Sequence, residues 1–147
     1  MRLFLLMISL MFPVGAFAVS SVPYEDLQCL TDNIYFEARG EPILGQVMVG
    51  LSVLNRVNDT RWPNTVCKVV YQRKQYSWTL ERKAPIKDRK TYLLINDLAY
   101  TLLVNKDQQY SFNVTNYLRC DWRDKVDWWK EMEFIGQIGE HCFYSDN

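Results

Sequence analysis

The 147-residue chain has a single histidine, His141, and that scarcity excludes more than any other feature. Zinc hydrolases take two or three ligands from histidine, and a Ser–His–Asp triad or a Cys–His pair needs its one imidazole correctly placed. No C-x-x-C pair occurs among Cys29, Cys67, Cys120 and Cys142, which argues against a zinc cluster or a thioredoxin-like redox centre. An excess of one charge is missing too. Lys+Arg 17 balances Asp+Glu 17, so no global field would hold nucleic acid or an acidic membrane surface. The chemistry is therefore expected to run on carboxylates, with no metal and no organic cofactor.

Long apolar runs are also absent. Leu3 to Phe12 is about 10 residues, half of what a spanning helix needs. It follows Arg2 and precedes Pro13, Gly15 and the small-x-small ending Ala16-Phe17-Ala18. This layout predicts a cleavable signal peptide over residues 1–18, export to the periplasm or extracellular cell wall, and no membrane anchor after cleavage. An even cysteine count in an exported chain suggests disulfides. Four cysteines allow three pairings; sequence order favours Cys29–Cys67 and Cys120–Cys142, with four buried free thiols as the alternative.

No repeat, low-complexity run or Pro/Gly/Ser linker interrupts residues 19–147, which are read as one domain acting as a monomer. Leu27, Leu30, Ile34 and Ala38 recur at helical steps, predicting a helix from Tyr24 to Arg39 that stops at Gly40. Pro42 opens a second helix through Val57, with Ile43, Val47, Leu51 and Leu54 on one face and Gly45 and Gly50 for close approach. It is read as the central core helix. Asn64 is the expected cap of a short helix through Val70, Gln72 to Thr79 a loop or short strand, and Asp88 the cap of a long helix ending near Asn105. Ser111 to Leu118 reads as a strand, and Glu133 to Tyr144 as a hairpin around Gly136 to Gly139. Helices first and strands late make an α+β fold with a short antiparallel sheet near the C-terminus.

Glu37 lies in the last turn of the first helix between aromatic and apolar neighbours. The negative end of the helix dipole and partial burial both disfavour its charge, raising its pKa toward that of a general acid for a glycosidic oxygen. By spacing alone, a simple solvated helix end is the favoured reading of Glu37, Arg39 and Glu41. Gln75-Tyr76-Ser77-Trp78 offers amides and rings for a sugar, and Tyr117, Trp122, Trp128 and Trp129 add ring surface, although Trp128 and Trp129 cannot face the same way on a helix.

The ordered set Asn33-Ile34-Tyr35-Phe36-Glu37-Ala38-Arg39-Gly40-Glu41-Pro42, Gly45-Gln46, Val53-Leu54-Asn55-Arg56-Val57, Trp62-Pro63-Asn64-Thr65-Val66-Cys67, Gln75-Tyr76-Ser77-Trp78-Thr79 and Ile138-Gly139-Glu140-His141-Cys142-Phe143-Tyr144 resembles the SleB-type cell-wall hydrolases, from about Cys29 to Tyr144. The resemblance implies a small lysozyme- or transglycosylase-like domain that cleaves peptidoglycan glycan strands, with Glu37 as its catalytic residue. It also implies that Gln75, Ser77 and Trp78 border a glycan groove, with Tyr117 and Tyr144 beside them. Asn55 and Arg56 match a family pair that serves equally as a buried brace. Where relatives carry an aromatic-His-Ala-x-Tyr segment, this chain reads Asn113-Val114-Thr115-Asn116-Tyr117, with Val114 in the histidine's place. His141 is read as structural or surface, and Glu41, between Gly40 and Pro42, as structural.

A lytic transglycosylase needs one carboxylate, because the muramic acid's own 6-hydroxyl closes a 1,6-anhydro ring. A muramidase normally needs a second about 5–9 Å away. A non-catalytic peptidoglycan-binding or inhibitory module and an amidase complete the alternatives.

Overall fold

Helix α1 (Tyr24–Ala38) is buried almost all round its middle: Cys29 through Tyr35 are all inaccessible. A one-sided amphipathic stripe predicts less, and the reason is position, since α1 packs against α2 (Ile43–Asn58), α3 (Val66–Val70) and α4 (Arg89–Val104) at once. It therefore shares the centre of the core with α2, where the sequence pointed to α2 alone. Two of its buried polar residues, Thr31 and Asp32, are bonded across to α4. Asn96 donates to Thr31 Oγ1 at 3.1 Å, and the Tyr92 hydroxyl donates to Asp32 at 2.9 Å. The computed structural model describes residues 21–80, 84–106 and 112–146. The expected signal peptide lies outside them. No helix of the described residues is long and apolar enough to cross a membrane.

Gly50 on α2 is where three helices meet. A Cβ there would stand 2.5 Å from Leu102 Cδ1 on α4 and 3.1 Å from Ile34 Cδ1 on α1. The cap of α3 is Thr65, whose side chain accepts from Lys68 N, one residue later than the expected Asn64. Residues 72–79 form turns and a short 3-10 segment, Ser77–Thr79, rather than a strand. Asp88 caps α4 as expected, accepting from Thr91 N at 3.0 Å.

The three strands β1 (Asn116–Arg119), β2 (Glu133–Ile138) and β3 (His141–Ser145) form an antiparallel sheet in the order β1-β3-β2. The predicted strand start at Ser111 lies outside the described residues, and the described residues 112–115 are irregular. There, side chains of α2 hold the backbone carbonyls: Asn55 donates to Phe112 O and Val114 O, and Arg56 Nε to Thr115 O at 2.7 Å. Val114 itself is fully buried in the helical core. The hairpin turns at Gly139-Glu140, Gly139 having φ +58°, while Gly136 sits inside β2 beside a bulge.

Two disulfides close the fold, in the pairing that sequence order favours. Cys29–Cys67 ties α1 to α3, and Cys120–Cys142 ties the segment after β1 to β3, with Cα separations of 5.3 and 5.1 Å.

Candidate active site

A cleft of about 610 Å³ runs between the end of α1, the 72–79 segment, β1 and the Cys120–Glu131 segment. Glu37 lies on its wall, and among the described residues it is the one carboxylate that does so. Chain geometry explains the placement. Glu37 occupies the penultimate position of α1, and Glu41, just beyond the helix, reaches across to the hairpin, where its Oε2 accepts from Glu140 N at 3.0 Å. That bridge holds the end of α1 against β3. A Cβ on Gly139 would stand 2.0 Å from the same oxygen and 2.8 Å from Pro42 Cδ, so a larger residue would displace this bridge, and the positive φ favours glycine as well. Glu41 thus has the structural role expected of it and does not line the cleft.

Burial is the main cause of a raised Glu37 pKa, partly opposed by a hydrogen bond from the Tyr117 hydroxyl to Oε2 at 3.2 Å. Tyr117, on β1, is itself held well above the ordinary phenol range, chiefly by burial, so it remains a donor. With Oε2 engaged, Oε1 is the oxygen left to carry the mobile proton.

Gln75 and Ser77 line the cleft with Tyr117. Gln75 Oε1 accepts from Arg56 Nη1 at 2.7 Å, which orients its amide nitrogen as a donor. Arg56 resolves as a buried brace that also reaches the cleft wall, its guanidinium 4.2 Å from the Trp62 ring. Two sequence expectations require correction. Trp78 does not line the cleft: it stacks behind Phe36 with ring centroids 4.9 Å apart and donates to Asn33 Oδ1, and Phe36 is the ring that faces the cleft. Tyr144 is wholly buried on the other side of the sheet, with its ring against Trp128, Trp129 and Phe134. It supports the floor of the Cys120–Glu131 segment instead of touching a ligand.

That segment supplies the flat surface. Trp122 and Trp128 line the cleft at 51% and 42% exposure, whereas Trp129 turns away and donates to the carbonyls of Arg123 and Val126. His141, read from sequence as structural or surface, is a cleft residue. Its ring meets Tyr117 edge-on at 5.3 Å, and burial lowers its pKa, opposed in part by the Glu41 carboxylate, whose Oε1 lies 3.7 Å from Nδ1. Its strand register opposite β1 decides this, and nothing local in the sequence signals it. Among the described residues no three His, Cys, Asp or Glu side chains are placed to hold a metal ion.

The profile of the cell wall hydrolase family matches residues 40–144, a span starting just after Glu37. A spore cortex-lytic enzyme of Bacillus cereus is 30% identical over 120 residues, covering 80% of this chain and 43% of that protein. One from Oceanobacillus iheyensis is 31% identical over 120 residues, covering 80% and 41%. The chain therefore spans less than half the length of the curated relatives it matches. Among solved structures, the catalytic domain of the germination-specific lytic transglycosylase SleB from Bacillus anthracis aligns with a TM-score of 0.68 at 26% identity, over 86% of this chain and 98% of that one. The Bacillus cereus SleB catalytic domain gives 0.68 at 27% identity, over 86% and 94%. The arrangement of helices before a small antiparallel sheet is thus that of the SleB catalytic domain, and this chain belongs to the cell wall hydrolase family.

Proposed function

We propose that this chain is an exported, monomeric lytic transglycosylase that cleaves peptidoglycan glycan strands. The observation that carries the reading is the solitary Glu37 carboxylate, partly buried and raised in pKa on the wall of an aromatic cleft. Similarity to the SleB catalytic domains, one of them described as a lytic transglycosylase, supports it.

Glu37, protonated at Oε1, donates its proton to the glycosidic oxygen as the C1–O bond of the muramyl residue breaks. The resulting carboxylate, still accepting from Tyr117, faces the oxocarbenium-like centre and then takes the proton of that sugar's 6-hydroxyl as O6 bonds to C1. The glutamate ends protonated and the sugar ends as a 1,6-anhydro ring, with no water consumed. A hydrolytic muramidase would call for a second carboxylate about 5–9 Å from Glu37, and Glu41 is committed to the hairpin turn. Trp122 and Trp128 offer faces for pyranose rings, and Gln75 and Ser77 offer hydrogen bonds. Glu37→Gln is expected to lower the rate of soluble product release from purified sacculi about 10²- to 10⁴-fold while binding persists. Unchanged release would overturn the assignment.

A further inference from the structure

The cleft carries a charge that the chain as a whole does not. Its lining holds Arg56, Lys74 and Arg119 against the single acid Glu37, in a chain whose formal net charge is zero. Two of these cations are engaged. Arg56 is held by Thr115 O, Gln75 and the Trp62 ring, and Arg119 pairs with Asp121 at 3.1 Å and Glu140 at 3.4 Å. Lys74 is exposed and has no ion pair among the described residues.

Its backbone is unusual as well. Among the described residues Lys74 is the one non-glycine residue with positive φ, at +67°. It is the third residue of a turn closed by Gln75 N donating to Gln72 O at 3.1 Å, a position that favours glycine. A lysine there has a steric cost that glycine escapes, and such conformations cluster where a side chain is needed at a ligand.

We propose that Lys74 is a substrate-binding residue whose ammonium takes a carboxylate carried by the muramyl unit of the strand in the cleft. The cleft then selects strands bearing free carboxylates, either on the peptide stem or on the lactyl group. This deepens the peptidoglycan reading and rests on it. Lys74 lines the same cleft as Gln75 and Ser77 and takes no part in the Glu37–Tyr117 hydrogen bond. Lys74 acts on binding and not on chemistry.

The test is calorimetric binding of soluble peptide-bearing glycan strands to the Glu37→Gln chain, which leaves the strands uncut, with and without Lys74→Gly or Lys74→Arg. Lys74→Gly suits the backbone, so its melting temperature should equal or exceed the parent's. Its affinity should fall about two- to fivefold at low salt, the gap closing as salt rises, and Lys74→Arg should restore most of it. On strands whose carboxylates have been converted to amides the variants should bind alike. Strands stripped of their stems expose the lactyl carboxylate: a loss that persists there places the contacted group beside the sugar, and a loss that vanishes places it on the stem. Equal affinity of the lysine and glycine forms on peptide-bearing strands, or an undiminished difference on amidated ones, would overturn the proposal. Because binding is read without turnover, a Lys74 effect in a chain whose wild-type form releases no product would contradict the catalytic reading alone. Anhydro-product release with no Lys74 effect would contradict this one alone.

Discussion

The Tyr117 hydroxyl donates a hydrogen bond to Glu37 Oε2 at 3.2 Å, joining β1 to the last turn of α1 across 80 positions of sequence. It stabilises the carboxylate, and so opposes the burial that raises the Glu37 pKa. The two effects together set the pH at which the group is available as an acid.

Tyr117→Phe removes the opposing effect and leaves burial. The Glu37 pKa should therefore rise further, shifting the alkaline limb of the pH–rate profile to higher pH, while the maximal rate falls because the carboxylate formed in the transition state loses a donor. Product release from sacculi across a pH series measures both. An unshifted limb would show that Tyr117 does not contact the titrating group.

The raised Glu37 pKa also has a stability consequence. Between the unfolded and the folded pKa, the native state holds more protons than the unfolded one, so stability falls as pH rises through that window. Glu37→Gln removes the cost of ionising a buried carboxylate. Its melting temperature should match the parent's near pH 4 and exceed it by a growing margin toward about pH 7. A margin constant with pH would contradict the burial argument.

Gly50 and Gly136 make a matched pair. Alanine at 50 drives a Cβ into Leu102 and Ile34 and should cost about 1–3 kcal/mol by overpacking, whereas alanine at 136 has nothing within 4 Å and should change stability little. Chemical denaturation of the two variants checks the contrast.

Reduction should lower the melting temperature, since each crosslink typically contributes about 2–4 kcal/mol. Cys29→Ser with Cys67→Ser should loosen α3 against α1. The partner pair, Cys120→Ser with Cys142→Ser, should loosen the segment that presents Trp122 and Trp128, and so weaken glycan binding more than it lowers helix stability. Equal effects of the two pairs on binding would show that the second disulfide does not support the aromatic wall.

Local chemistry made the helices legible. The apolar period marks α1 and α2, and Asp88 marks the start of α4 because capping is a contact within one turn. The disulfide pairing follows chain order because each bridge ties elements that pack together. What failed depends on distant partners. Residues 112–115 have strand composition, yet Asn55 and Arg56 occupy their carbonyls. Tyr144 carries the right side chain for sugar contact, but its position in β3 turns it away from the cleft lining, buried against Trp128, Trp129 and Phe134. His141 enters the cleft, one face over, through the same alternation. Arg56 became a site residue only when α2, the 72–79 segment and β1 met around it. Local pattern does not decide Glu37, which a solvated helix end explains as well; the ordered family motifs around it single it out, and neither its burial in the cleft wall nor its bond to Tyr117 can be read from its neighbours in sequence.

The most direct measurement is mass spectrometry of the soluble fragments released when the protein, or its Glu37→Gln variant, digests purified sacculi. Muropeptides ending in 1,6-anhydro-muramic acid, produced by the parent and absent with the variant, are the expected outcome for a single carboxylate that serves as acid and then as base. Reducing-end muramic acid from the parent would contradict it, since water would then have replaced the 6-hydroxyl and a second activating group would have to face the cleft.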